Sequence, residues 1–183
     1  MYNLLTRVFK TTLWIMVLVI FTSGTSKRKL IKSNLENGNY SISTTGDIQK
    51  KFKGVIYFET VDVTSSKGIR YNTLKLGLKN HKNHQMHSMQ FLISKKTEKG
   101  QQIKTGTYKV ANNIDGFINC FDGVFGFANI RSSGELPFFA NSGKIKIEYI
   151  SQDVLKGTIE VAMNNSERKR INIQGNFTAN RKN

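Results

Sequence analysis

The sequence contains very little cysteine and very little proline. A single Cys120 cannot form a disulfide within the chain, so the hydrophobic core has to hold the fold without covalent cross-links. Since no partner for a nucleophilic role is recognisable in the sequence, Cys120 is interpreted as a small buried hydrophobe. The single Pro137 stands against 15 glycines, which indicates turns built from glycine and asparagine.

Acidic residues are also scarce. The 12 Asp and Glu residues face 28 Lys and Arg residues, which gives a formal net charge of +16. Such a balance favours anionic partners: nucleic acid, anionic polysaccharide or lipid headgroups. Lysine is far commoner than arginine, the residue suited to bidentate phosphate recognition, so sequence-specific nucleic-acid binding is not expected. The alternative interpretation is that the excess of lysine arose by compositional drift. In that case the lysines only solvate the outer faces of strands and bind no partner.

Long apolar runs are absent except near the N-terminus. Residues 13–21 are all apolar; they follow the basic Arg7 and Lys10 and precede a run of small residues. This arrangement is typical of a secretory signal, so residues 1–26 are predicted to be a signal peptide that directs export to the periplasm or the cell surface. An uncleaved inner-membrane anchor is the alternative, because the basic stretch 27–32 follows directly and positive charge there favours the cytoplasmic side.

Alternation of apolar and polar residues predicts an all-β domain. The clearest pattern covers residues 142–179, where polar clusters at 151–153 and 164–167 separate three alternating runs. Because side chains on a strand alternate between faces, this predicts a three-stranded antiparallel meander with odd-numbered residues in the core. Further short strands are expected around residues 40–42, 52–58, 74–78, 89–93, 106–110 and 117–128, with a loop at 132–141.

About eight or nine short strands at this turn spacing predict an antiparallel β-sandwich or a small flattened barrel, preceded by the apolar signal helix. The expected organisation is a signal peptide at 1–26, a basic polar linker at 27–37, a single all-β domain at 38–179 and a basic tail at 180–183.

Four short pieces of the C-terminal half carry a family resemblance. They are Thr-Gly-Thr-Tyr at 105–108, Ser-Gly-Lys-Ile-Lys-Ile at 142–147, Leu-Lys-Gly-Thr-Ile at 155–159 and Gln-Gly-Asn-Phe at 174–177. Their order resembles that of small exported all-β domains of unknown function from Gram-negative bacteria, which are often lipid-anchored. The resemblance implies an exported, sandwich-like domain and brings no catalytic residues. The lipid-anchor cysteine is missing here, and Ile159 stands where phenylalanine is expected.

All 3 histidines of the chain lie within residues 81–87, beside methionine. Imidazole suits Zn, Cu or Ni and thioether suits Cu(I), so His81, His84 and His87 are candidate ligands of a metal site. The segment is predicted to be a loop, however, and it contains no carboxylate. A polar hairpin loop that carries histidine without binding metal is the alternative interpretation.

Aromatic residues are concentrated in residues 117–139. Those of one parity are Phe117, Phe121, Phe125 and Phe127, with Phe138 and Phe139 nearby. Phenylalanine alternating with glycine describes the core of a barrel or sandwich, and an exposed platform for sugar or lipid is the alternative.

The carboxylates show no pair that stands apart as the acid and base of a hydrolase. The notable ones are Glu59, Asp62, Asp115, Asp122, Glu135, Glu148 and Glu160. Glu148 and Glu160 fall on the polar face of the meander, where pairing with lysine across strands is expected.

The leading prediction is an exported, non-enzymatic, all-β binding or structural module without a cofactor, whose partner is an anionic envelope component. A periplasmic protein that binds Cu, Ni or Zn through His81, His84 and His87 is the second interpretation. A hydrolase with unidentified carboxylates is the third.

Overall fold

The structure is a computed structural model that describes residues 36–80, 87–97, 102–111, 121–130, 134 and 136–182. All of them belong to the unit Ser33–Asn183. The predicted signal peptide, most of the predicted linker and Cys120 lie outside these residues. No helix long and apolar enough to cross a membrane occurs in the described part of the chain.

Nine strands make up the secondary structure of the described residues. They are β1 (Asn39–Gly46), β2 (Lys50–Thr64), β3 (Arg70–Lys79), β4 (His87–Lys96), β5 (Gly106–Lys109), β6 (Gly123–Ile130), β7 (Phe138–Ile150), β8 (Val154–Asn164) and β9 (Arg170–Arg181). All strands except β5 follow one another around a ring in chain order, and β9 pairs with β1 to close it. The all-β prediction is confirmed, and of the two predicted architectures the molecule adopts the barrel, of the up-and-down type.

The strand β5 is an addition at one end of this barrel. Its antiparallel ladder with β7 runs from Gly106 opposite Ile147 to Lys109 opposite Lys144. The ladder between β6 and β7 is confined to residues 127–128 of β6 and 138–139 of β7. β5 therefore pairs with residues 144–147 of β7, beyond the short part of that strand that pairs with β6.

Side chains from all eight ring strands fill the barrel interior. The largest fully buried side chains include Tyr40, Phe58, Phe91, Phe138 and Phe177, and they belong to one continuous hydrophobic cluster. An eight-stranded barrel is just wide enough inside for side chains to fill it. The core therefore supplies the stability that the chain cannot obtain from disulfides.

The predicted closing meander is present, with exceptions to its parity at Tyr149 and at Thr178, which is even-numbered but buried. The odd-numbered residues of β8 and β9 face the core as predicted, from Leu155 to Met163 and from Ile171 to Phe177. Tyr149 was expected inside with Ile147, but it is 51% exposed. A register shift between these two residues in the β7–β8 ladder reverses the alternation.

The phenylalanine-rich stretch differs from the core interpretation. In β6 the residues that face inward are Val124, Gly126, Ala128 and Ile130, so Phe125 and Phe127 lie on the outer face. The interior space opposite Gly126 is occupied by the Phe91 ring, since a Cβ at this glycine would come within 2.5 Å of it.

Two predicted boundaries also differ from the structure. The strand β7 begins at Phe138, inside the predicted loop, because a register shift between Ala140 and Ser142 breaks the sequence alternation there. At the other end, β9 extends to Arg181 and includes part of the predicted tail. The Arg181 amide donates to the Asp153 carbonyl oxygen at 2.9 Å.

Candidate functional site

The barrel wall is open at the end where β4 finishes. The ladder between β4 and β6 stops at Ser94 opposite Gly123, although β4 continues to Lys96. The next strand along the wall is β5, and among the described residues it meets β6 only at one isolated bridge. We name this opening the seam and define it by residues 95–97, at the end of β4, and by residues 102–109, which lead into β5 and include it.

Two clefts lie along the seam. The first, of about 310 Å³, is lined by Asn72, the end of β4 and residues 102–108. The second, of about 380 Å³, is lined by Lys95, residues 107–111 and the first residues of β6. Because Thr107 and Tyr108 border both clefts, the two together follow β5 along its length.

The charged side chains that border the clefts are mainly positive. The charged residues among those that border them are Lys95, Lys96, Lys104, Lys109 and Asp122. In the described part of the chain, none of these lysines forms an ion pair with a carboxylate. Uncompensated charge of one sign in a concave site raises the local concentration of oppositely charged ligands.

Residues 102–105 form one wall of the first cleft and are fixed by buried contacts. Ile103 is part of the core, and its amide donates to Oδ1 of Asn72 at 3.0 Å. The Asn72 amide group in turn donates to Oδ1 of Asp62 at 2.6 Å. This chain of hydrogen bonds ties the segment to the ends of β2 and β3, so the cleft wall is rigidly supported.

Tyr108 makes a second set of hydrogen bonds to the same segment. We call this set the Tyr108 clamp and the hydrogen bonds of Asn72 the Asn72 clamp. The Tyr108 hydroxyl donates to the Lys104 carbonyl oxygen at 2.7 Å and accepts from the Lys104 amide at 3.2 Å. Burial raises the pKa of Tyr108, although the hydrogen bond to the Lys104 backbone acts in the opposite direction. The hydroxyl therefore stays protonated and keeps its donor role at neutral pH.

The register of β5 decides which of its backbone groups face the seam. The Val110 amide donates to the Gly143 carbonyl oxygen at 3.0 Å. In an antiparallel ladder, residues alternate between facing the partner strand and facing away. Tyr108 therefore directs its backbone groups to β7, whereas the amides of Thr107 and Lys109 point into the seam.

Of the predicted metal ligands, His81 and His84 lie outside the described residues. His87 begins β4 and is buried, with Nε2 at 2.9 Å from the Tyr40 hydroxyl. Its ring packs edge-on against Phe52 at a centroid distance of 4.4 Å. Burial lowers the pKa of His87, and the charge of nearby Lys50 lowers it further.

Burial also raises the pKa of the Tyr40 hydroxyl to about 12, so a neutral imidazole and a neutral phenol share this hydrogen bond. Among the described residues, no group of three His, Cys, Asp or Glu side chains is placed to hold a metal. Because two of the three predicted ligands are not among them, the metal site stays a prediction.

Several of the described glutamates pair with lysine along the strand faces. Glu160 contacts Lys144 across the β7–β8 ladder at 3.3 Å, as predicted, and Glu148 contacts its strand neighbour Lys146 at 3.1 Å. Asp115 and Glu135 lie outside the described residues.

Glu59 is the most strongly paired of these acids. It contacts Lys75 at 2.9 Å and Lys182 at 3.8 Å. The hydrogen bond from Lys75 lowers the pKa of Glu59 below its ordinary value.

The outer-face phenylalanines form a small cluster. Phe125 lies between Phe121 and Phe139, at centroid distances of 6.5 and 6.3 Å. Phe139 is 47% exposed. Phe121, however, is only 4% exposed and Phe125 is half-buried, so Phe139 alone presents an exposed ring in this cluster. The alternative of an aromatic platform for sugar or lipid stays a prediction.

Comparison with protein-family models, with curated proteins and with solved structures found no match for this chain. The resemblance to exported all-β domains therefore stays a prediction, and the seam has to carry the functional argument. Sequence reasoning missed the seam because residues 95–102 lie between the strands predicted at 89–93 and 106–110, where a charged stretch is ordinarily interpreted as a turn. The available signal was the run of lysines on both sides of residues 105–108.

Proposed function

We propose that this chain is a non-enzymatic binding module that holds an anionic ligand at the seam. The observation that carries the proposal is the group of lysines around the two clefts that have no carboxylate partner in the described part of the chain, namely Lys95, Lys96, Lys104 and Lys109. Export to the periplasm or the cell surface belongs to the same proposal, with an anionic envelope component as the ligand class. The apolar segment at 13–21 supports export or membrane anchoring.

The concentration of such lysines around a concave space supports binding at the seam. Lys75 and Lys144 contact Glu59 and Glu160 on the strand faces. Lysines without a carboxylate partner among the described residues also occur elsewhere, for example Lys156, but they do not border these clefts. An anionic ligand would supply the missing negative charge. Because the barrel interior is filled by the core, the ligand binds on the outside of the barrel, at its open end.

Charge alone gives only weak binding at an exposed site. A solvent-exposed ion pair contributes about 0.2–1 kcal/mol, and the Debye length of about 8 Å at physiological salt screens more distant charges. The fixed cleft walls reduce the cost of binding, because the Asn72 and Tyr108 clamps already order the segment that the ligand contacts.

The proposal is tested by removing the same number of charges in two places. The seam variant replaces Lys95, Lys96, Lys104 and Lys109 by glutamine. The control variant replaces four lysines outside the seam by glutamine, so that its net charge is identical. They are Lys144 and Lys146 on β7, Lys156 on β8 and Lys169 just before β9.

Binding of heparin and of phosphatidylglycerol vesicles is measured by titration at several salt concentrations. The expected result is a loss of at least about tenfold in affinity for the seam variant and less than about threefold for the control. Equal losses in the two variants would show that binding follows net charge alone, and would overturn the assignment of the seam.

A further inference from the structure

We propose that the ligand of the seam is an extended acidic peptide that adds a strand to the free edge of β5. This inference rests on the proposed function, because it names the ligand class of the same site. It depends on the backbone of β5 as well as on the lysine charges. The backbone edge of β5 and the lysine side chains are separate features of the site, and each can be changed without the other.

The first argument is the edge of β5 that faces away from β7, which is open in part. Among the described strands, β5 has a full ladder with β7 alone, and its register turns Thr107 and the Lys109 amide towards the seam. The Lys109 carbonyl oxygen instead faces the start of β6, at the bridge between Val110 and Val124. A row of free N–H and C=O groups is a template for an extended peptide, and strand addition to such an edge is a common mode of recognition. Four residues of β5 span about 13 Å at about 3.3 Å per residue, which suits a short peptide segment.

The second argument is the size and position of the space. The cleft of about 380 Å³ is bordered by Thr107 and Lys109 on one side and by Lys95 on the other. Adjacent strands lie about 4.7–4.9 Å apart, so a strand paired with β5 would occupy this cleft. The open edge ends where β5 meets the start of β6: the Lys109 carbonyl oxygen lies against Gly123, and the Ala111 amide donates to the Val124 carbonyl oxygen at 2.9 Å. The added strand therefore extends from this end towards the first cleft.

The third argument is charge complementarity. An added strand would lie between Lys95 of β4 and Lys109 of β5, with Lys96 and Lys104 at the first cleft. These lysines repel a basic strand, including the edge of another copy of this basic chain, and attract an acidic one. Asp122 lies at the β6 end of the second cleft, so the acidic residues of the peptide are expected at the opposite end.

A polysaccharide or a lipid headgroup satisfies only part of this site. Both carry negative charge, but neither offers amides and carbonyls at the spacing of a strand. A lipid surface is also broad, whereas the seam is a concave gap between two strands. The free edge of β5 therefore favours a peptide over these two ligands.

The test uses the full isotope-labelled protein and two blocked decapeptides of alternating glutamate and threonine. One peptide is unmodified, and the other is N-methylated at every second residue, which removes the donors of one edge while the charge stays the same. Heparin and phosphatidylglycerol vesicles are the alternative ligands. Affinity is measured by titration, and hydrogen exchange is followed at each backbone amide.

The unmodified peptide is expected to bind at least about tenfold more tightly than the methylated one. It should also slow exchange at the Thr107 and Lys109 amides, and the glutamine variant of the seam lysines should weaken its binding. The Thr107→Pro variant adds a check from the protein side. Proline there removes one seam-facing donor while the Tyr108 pairing with β7 is retained, so its affinity should fall as well.

Equal affinity for the two peptides, with hydrogen exchange at the Thr107 and Lys109 amides unchanged, would overturn strand addition. The proposed binding of an anionic ligand at the seam would not be affected by that result. Binding of heparin or vesicles at the seam without peptide binding would have the same meaning. If no anionic ligand bound in a way that depended on the seam lysines, the proposed function itself would fall.

Discussion

The wall formed by β7, β8 and β9 and the seam are both built from antiparallel strands. They differ in whether the strand edges are paired and in whether the lysines contact carboxylates. In the wall, β8 is paired along both edges, and Lys144 finds Glu160 on the neighbouring strand. In the seam, β5 has a ladder on one edge only, and Lys95 and Lys109 have no carboxylate partner among the described residues. The backbone pairing of the wall is thus completed within the fold, whereas the seam retains backbone groups and a cluster of lysines without partners among the described residues.

The largest expected effect separates the two regions by stability. Phe177 is 2% exposed within the core behind the wall, so Phe177→Ala should lower the free energy of unfolding by about 3–5 kcal/mol. Denaturant unfolding followed by circular dichroism measures the loss. The glutamine variant of the four seam lysines should be as stable as the parent protein, because it removes only like charges. A similar loss in both variants would show that the seam is part of the stabilising structure.

A smaller effect is expected where the seam meets the core. The change Asn72→Ala removes the acceptor of the Ile103 amide and the donor to Asp62. Leaving buried polar groups without partners costs about 1–3 kcal/mol. Unfolding experiments should show this loss, together with faster hydrogen exchange at Ile103. If exchange at Ile103 stayed the same, the clamp would not be what holds residues 102–105.

The opposite end of the barrel should respond to pH. Burial lowers the pKa of His87 below its ordinary value of 6.5, so between these two values the unfolded chain binds more protons than the folded one. The free energy of unfolding therefore rises with pH through this window. The contribution of His87 is fully present above about pH 6.5 and is lost as the pH falls towards its lowered pKa. Urea midpoints between pH 5 and pH 8 measure this trend.

The matched control for this experiment is His87→Gln, which keeps a polar group but cannot titrate. Its urea midpoint should depend less on pH over the same range. An identical slope in the parent protein and in the variant would show that His87 is not the group responsible.

The smallest effect is expected for the exposed ion pair of the wall. The side chains of Lys144 and Glu160 are 51% and 47% exposed, so solvent screens their interaction. The change Glu160→Gln should lower the free energy of unfolding by less than about 1 kcal/mol, and added salt should reduce the difference further. A larger, salt-independent loss would contradict the view that the wall pairs contribute little.

The sequence predicted the regular parts of the barrel because alternation reports directly which face of a strand is buried. It failed where the alternation is interrupted: register shifts in β7 moved Tyr149 outward and concealed the strand start at Phe138. It also placed Phe125 in the core, since nothing local shows that Phe91 of another strand fills the space opposite Gly126.

The lysines of the seam are visible in the sequence, but its geometry could not have been predicted, for a related reason. Its clamp joins Asn72 to Ile103, and its open edge depends on where β6 leaves β7. Both are long-range features of strand pairing. Spacing along the chain reports only local contacts, so the lysines of the seam looked like an ordinary charged turn.

The most direct test of the account is a map of the backbone amides that respond when heparin is titrated into the labelled protein. The account predicts shifts concentrated at residues 95–97 and 102–109, and their loss in the glutamine variant of the seam lysines. Shifts spread evenly over the lysines of β7, β8 and β9 would contradict it.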